Sequence, residues 1–110
     1  MNTNLFLKLT RRIETNFLGF EVQRTRPAVV CKDGFSVSIQ AGECLYCSPR
    51  DNRAKEYECV ELGFPSEKEE LIMDYAEDCD KPTDTVYGFV PVEIVDEMLE
   101  KHGGIVDIRE

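Results

Sequence analysis

Leu5, Leu9, Ile13 and Phe17 recur four residues apart, Phe6 and Leu18 widen the stripe, and Lys8, Arg11, Arg12 and Glu14 fill the other faces. That spacing gathers the apolar side chains on one side of a 3.6-residue period and predicts an amphipathic helix over 4–18. Asn2, Thr3 or Asn4 offers the side-chain oxygen for its N-cap, and Gly19 stands where a left-handed residue would end it. From Phe20 the texture changes. Phe20, Val22 and Ala28–Cys31 suit strands, with Pro27 dividing them. Lys32-Asp33-Gly34 then reads as a tight turn, after which Phe35, Val37 and Ile39 alternate with Ser36, Ser38 and Gln40.

Ala41-Gly42 and Ser48-Pro49 bracket Cys44–Cys47, which reads as a short strand entering the polar loop Arg50-Asp51-Asn52-Arg53. Tyr57–Leu62 predicts another strand, with Tyr57, Cys59 and Glu61 on one face and Glu58, Val60 and Leu62 on the other. Ser66 followed three residues later by Glu69 has the form of a capping box, which predicts a short helix over 67–75. The acidic stretch 77–84, interrupted by Pro82, reads as a solvated loop, and Thr85–Val90 as a strand. Pro91 suits a first helical turn, Val92, Val95, Met98, Leu99 and His102 recur at helical spacing, and Gly103-Gly104 stops the run. Ile105, Val106 and Ile108 allow a last short strand. The pattern therefore predicts an α+β fold, with an antiparallel sheet meander packed by an N-terminal and a C-terminal helix. At 110 residues this is one domain spanning 1–110.

Charge is divided unevenly. Residues 1–60 hold 9 basic and 7 acidic side chains, a net +2, whereas residues 61–110 hold 4 basic and 15 acidic, a net −11. A total of −9 disfavours direct binding to nucleic acid. No apolar run approaches the roughly 20 residues of a membrane-spanning helix, and the first residues lack the features of a secretory signal, so the expectation is a cytoplasmic protein. Five cysteines, an odd number, argue for reduced thiols over a disulfide framework.

Candidate chemistry is sparse. Cys44-x-x-Cys47 has the spacing of a zinc knuckle, but Cys59 and Cys79 do not form a second one, and no helix follows that would make the pair a redox dithiol. No metal or cofactor is expected. His102 is the sole histidine, and at the end of a helix it suits capping and the helix dipole better than nucleophilic catalysis, so no catalytic residue is assigned. Asp78-Cys79-Asp80 lacks the further ligands and turn glycine of a calcium loop. The carboxylates Glu67, Glu69, Glu70, Asp74, Glu77, Asp78, Asp80 and Asp84 remain, either as a solvated face or as a surface that meets basic cleft walls in place of phosphates. A second candidate site is Tyr46 with Arg50 and Arg53, where guanidinium donors beside an aromatic ring could hold a nucleotide-like ligand.

Four blocks resemble a family of small proteins encoded by bacteriophages and prophages. They are Asp33–Ala41, Tyr46–Arg50 and Val60–Ser66, then Thr85–Glu93 with Lys101–Gly104. The resemblance covers roughly residues 28–104 and brings no catalytic residues with it. It implies a phage-like setting inside a bacterial host, in which small acidic proteins often inhibit host defence, anti-CRISPR proteins among them. The expectation is an acidic binding protein that inhibits a host nucleic-acid-handling factor by meeting its basic surface, with a nucleotide-sequestering module as the alternative.

Overall fold

Helix α1 (Thr3–Leu9) begins where Asn2 Oδ1 accepts the Leu5 N–H at 2.9 Å, in a computed structural model that describes residues 1–109. The helix ends at Leu9, not Leu18. Its buried side chains are Thr3, Phe6 and Leu7, so the predicted Leu5–Leu9–Phe17 stripe faces solvent instead. Residues 13–23 form a hairpin of β1 (Ile13–Thr15) and β2 (Glu21–Gln23), paired Ile13 with Gln23 and Thr15 with Glu21. Local chemistry explains the change. Asn16 Oδ1 accepts the N–H groups of both Leu18 and Phe20 at 3.0 Å, Gly19 adopts φ +86°, and β-branched Ile13, Thr15 and Val22 favour extended backbone. Turn chemistry thus outweighs an apolar spacing of four, and Gly19 supplies its left-handed conformation to the hairpin and not to a helix end.

Four strands form the predicted meander. They are β3 (Ala28–Cys31), β4 (Ser36–Gln40), β5 (Cys59–Gly63) and β6 (Val86–Pro91), and β7 (Ile105–Arg109) returns antiparallel beside β3 to give the order β6-β5-β4-β3-β7. The β3–β4 turn closes with the Cys31 N–H on Phe35 O at 2.7 Å and places Gly34 at φ +95°, where a Cβ would be strained. Pairing of Ile39 with Leu62 and Leu62 with Tyr87 sets one face of the sheet inward. Val29, Val37, Ile39, Val60, Leu62, Tyr87 and Val90 are all buried there, against Phe6 and Leu7 of α1 and Val95, Met98 and Leu99 of α2 (Val92–Lys101). Burial of Val92, Val95, Met98 and Leu99 matches the helical spacing read from the sequence.

The segment Cys44–Cys47 is not a strand. Leu45 N donates to Gly42 O and Cys47 N to Leu45 O, so the chain turns there, and only Ser48 bridges to Cys59. The capping box is also replaced. A 3-10 helix (Glu70–Tyr75) has Glu69 as its N-cap, with the carboxylate accepting the Leu71 N–H, while Ser66 Oγ accepts the Ser36 N–H across the sheet. Ile72 of this helix completes the core.

Arg26 joins the sheet to α1. Its guanidinium is buried and donates to Ala41 O, Leu7 O and Thr10 Oγ1, and Gln40 pairs with its backbone in both directions. Burial pulls its pKa down to about 10, which leaves it charged at neutral pH and satisfied by carbonyls. All helices share the one core, so the other face of the sheet, with Ser36, Ser38, Glu61 and Gly88, has no helix packed on it among the described residues. No helix among those residues is long and apolar enough to cross a membrane.

Candidate functional site

His102 caps the C-terminus of α2 and is 6% exposed. Its ring stacks on Phe35 with centroids 4.0 Å apart, Nδ1 lies 2.6 Å from Asp33 Oδ2, and Nε2 lies 2.7 Å from Glu69 Oε1. Two carboxylates facing two ring nitrogens select the imidazolium, with both N–H groups donating. Burial opposes the charge, but the bonds from Asp33 and Glu69 outweigh it and hold the His102 pKa above its ordinary value. Glu69, 2% exposed, is likewise raised by burial and more than compensated by Lys101, His102 and the Leu71 N–H, which hold its carboxyl below the usual range. With no free lone pair, the ring has nothing to accept a proton from a nucleophile. It ties the end of α2 to the β3–β4 turn and the 3-10 helix.

This geometry removes Glu69 from the eight carboxylates expected at a partner surface, because it is buried and engaged inside the fold. Glu67, Glu70, Asp74, Glu77, Asp78, Asp80 and Asp84 are exposed, and Glu70 lies 3.4 Å from Lys68. The excursion 77–84 lies outside strands and helices, yet it is pinned along β6. Glu77 N donates to Val86 O at 2.9 Å, Asp78 N to Thr85 Oγ1 at 3.1 Å, and the hydroxyl of fully buried Tyr87 to Pro82 O. Asp78 Oδ1 in turn accepts the Asp80 N–H. The carboxylates are therefore presented from an ordered base.

Phe64 follows directly on β5 and donates its N–H to Thr85 O, beside the foot of that excursion. Its φ is +50° and its side chain is 57% exposed. Phe89, in a bulge of β6 where Gly88 and Phe89 face the single residue Glu61 of β5, has φ +53° and is 45% exposed. A left-handed conformation at a residue with a Cβ costs roughly 1–2 kcal/mol, and such residues cluster where function holds them. Each phenylalanine follows a glycine, Gly63 and Gly88, but no periodicity in the sequence marks either position.

Of the three residues proposed for a ligand, Tyr46 and Arg50 do meet. The Arg50 guanidinium lies 5.7 Å from the ring centres of both Tyr46 and Phe89, which are 6.0 Å apart, and Tyr46 lies over Gly88, where a Cβ would come within 3.2 Å of it. Arg53 is engaged elsewhere, 2.5 Å from Glu21 of β2. Cation–π contacts thus occupy the aromatic pair from within the chain.

The five thiols are free. Cys44 and Cys79 are exposed, whereas Cys47 is buried and donates to Gly42 O at 3.2 Å, so the two halves of the Cys-x-x-Cys pair have different surroundings. Among the described residues no three of His, Cys, Asp and Glu converge as metal ligands. Set beside protein-family models, curated proteins and solved structures, the chain matches none. The functional reading therefore rests on the surface itself.

Proposed function

We propose that this chain acts by binding a protein with a basic surface and catalyses no reaction. The observation that carries the reading is the acidic excursion 77–84, pinned to β6 through Glu77, Asp78 and Tyr87, with exposed Phe64 held beside its foot. Ordered carboxylates lose little conformational freedom on binding, and an aromatic anchor bordered by charge is the usual anatomy of a protein-binding hot spot. The sole histidine, engaged at both nitrogens, supports the non-enzymatic side of the proposal. In the phage-like setting that the sequence resembles, the partner would be a host nucleic-acid-handling factor whose phosphate-binding cleft the carboxylates occupy, and the chain its inhibitor.

The test is capture of a partner from a bacterial host on immobilised protein, followed by association kinetics with purified partner. Glu77→Lys, Asp80→Lys and Asp84→Lys together spare the turn made by Asp78 and are expected to slow association about tenfold or more at low salt. Glu93→Lys, Glu97→Lys and Glu100→Lys on the exposed side of α2 carry the same change of charge and are expected to do less. An acidic partner, or equal effects of the two sets, contradicts the proposal.

A further inference from the structure

A groove of about 260 Å³ opens on the helix-free face of the sheet, between the β1–β2 hairpin and Phe64. Its lining holds two carboxylates, Glu43 and Glu61, and no lysine, arginine or histidine. Neither carboxylate takes part in an ion pair among the described residues. Glu61 accepts the Tyr46 N–H through Oε1 at 3.2 Å, which fixes its direction and leaves Oε2 without a protein donor. Gln23 also lines the groove, with its Nε2 donating to Arg24 O and its Oε1 shielded from solvent. Ser38 Oγ contributes a further acceptor at the floor, where it already receives a Gln40 N–H, and Leu45 and Phe64 supply apolar sides.

From this lining we infer that the groove receives one cationic side chain of the partner polypeptide, an arginine. Acceptors arrive from β4, β5 and the turn after β4, and the five donors of a guanidinium, spread over a rigid plane, span that separation better than the three donors an ammonium gathers on one nitrogen. Its flat face and methylene stem suit the sides made by Leu45 and Phe64. The volume is below the roughly 300–1,000 Å³ that encloses a whole drug-sized ligand, which fits a single side chain. A phosphate-bearing ligand would meet two carboxylates and no cation there. The inference rests on the proposal of a basic protein partner and names where its specificity is read.

The experiment is an amide NMR titration of the full chain with acetyl-Gly-Arg-Gly-amide, run beside acetyl-Gly-Cit-Gly-amide, in which neutral citrulline replaces arginine at nearly the same shape. The arginine peptide is expected to give saturable shifts at the Gln23 side-chain amide and at the Tyr46 and Glu43 backbone amides, and the citrulline peptide to give none. Glu61→Gln keeps the acceptor for Tyr46 but removes the charge, and it is expected to weaken binding about fivefold or more. Glu43→Gln provides the same readout independently of any effect on the sheet. Equal shifts from the two peptides, shifts confined to 77–84, or unchanged binding in both variants would overturn the groove assignment while leaving partner capture through the excursion standing. Failure of the excursion variants to alter capture, with the arginine titration intact, would instead overturn the general reading.

Discussion

Truncation of His102 to Ala tests the ion cluster that joins α2 to the sheet. The substitution leaves Glu69, 2% exposed, with Lys101 Nζ at 2.9 Å and the Leu71 N–H at 3.1 Å, and removes the ring stacked on Phe35. Removing one partner of a buried pair costs roughly 3–5 kcal/mol when the remaining charge is uncompensated. Because Lys101 stays, the lower end applies, and about 3 kcal/mol is expected, or a fall in Tm of roughly 10–20 °C for a domain of this size. The pH dependence gives a sharper signature. The folded pKa of His102 lies above its ordinary 6.5, so its stabilisation is complete below about pH 6.5 and is lost as pH rises through the folded value. Over that interval the native state holds one more proton than the unfolded chain, and stability falls by about 1.4 kcal/mol per pH unit. Glu69 acts on the other side. Its folded pKa lies below its ordinary 4.5, so its contribution is present above about pH 4.5 and is lost on acidification. Urea melts from pH 4 to pH 8 should place maximal stability between about 4.5 and 6.5, and the difference between parent and His102→Ala should shrink from pH 6 to pH 8. A difference that stays constant with pH, or a parent whose stability rises from pH 6 to pH 8, would refute a charged His102 in the fold.

Three further outcomes are expected. Leu99, 2% exposed on the inner side of α2, should cost about 2–5 kcal/mol in denaturant melts when changed to Ala. Phe64→Gly and Phe89→Gly each trade a half-buried ring for relief of a left-handed backbone, so each should alter stability by no more than about 1 kcal/mol in the same melts. In timed alkylation read by mass spectrometry, exposed Cys44 and Cys79 should react first. Cys31 and Cys47, whose pKa values burial pushes up, should stay unmodified until the chain unfolds.

What was legible in the sequence was what neighbouring residues decide. Pro91 and Gly103 punctuate α2 at both ends, and its apolar positions agree with its period, so local and tertiary signals coincide. Asp33-Gly34 made the β3–β4 turn readable for the same reason, although only Gly34 takes a positive φ. The N-terminal helix is shorter than its spacing predicts because Ile13, Phe17 and Leu18 extend a helical period that Asn16 and Gly19 break, and spacing alone does not reveal which of two periods a short segment will satisfy. The site was harder still. Glu69 has the sequence look of a capping residue on an acidic face, and its true surroundings depend on Asp33 and His102, brought together from 36 and 33 positions away. A phenylalanine at positive φ has no sequence signature either, since the bulge and the strand pairing that hold Phe89 are long-range.

Hydrogen exchange with mass spectrometry on the complex with the captured partner reports at once on the proposed binding through the acidic excursion and the helix-free side of the sheet. Added protection across 77–84 and 42–46 is expected on partner binding, with the exposed side of α2 unchanged. Protection confined to α1 or α2, with 77–84 and 42–46 exchanging as in the free chain, would contradict it.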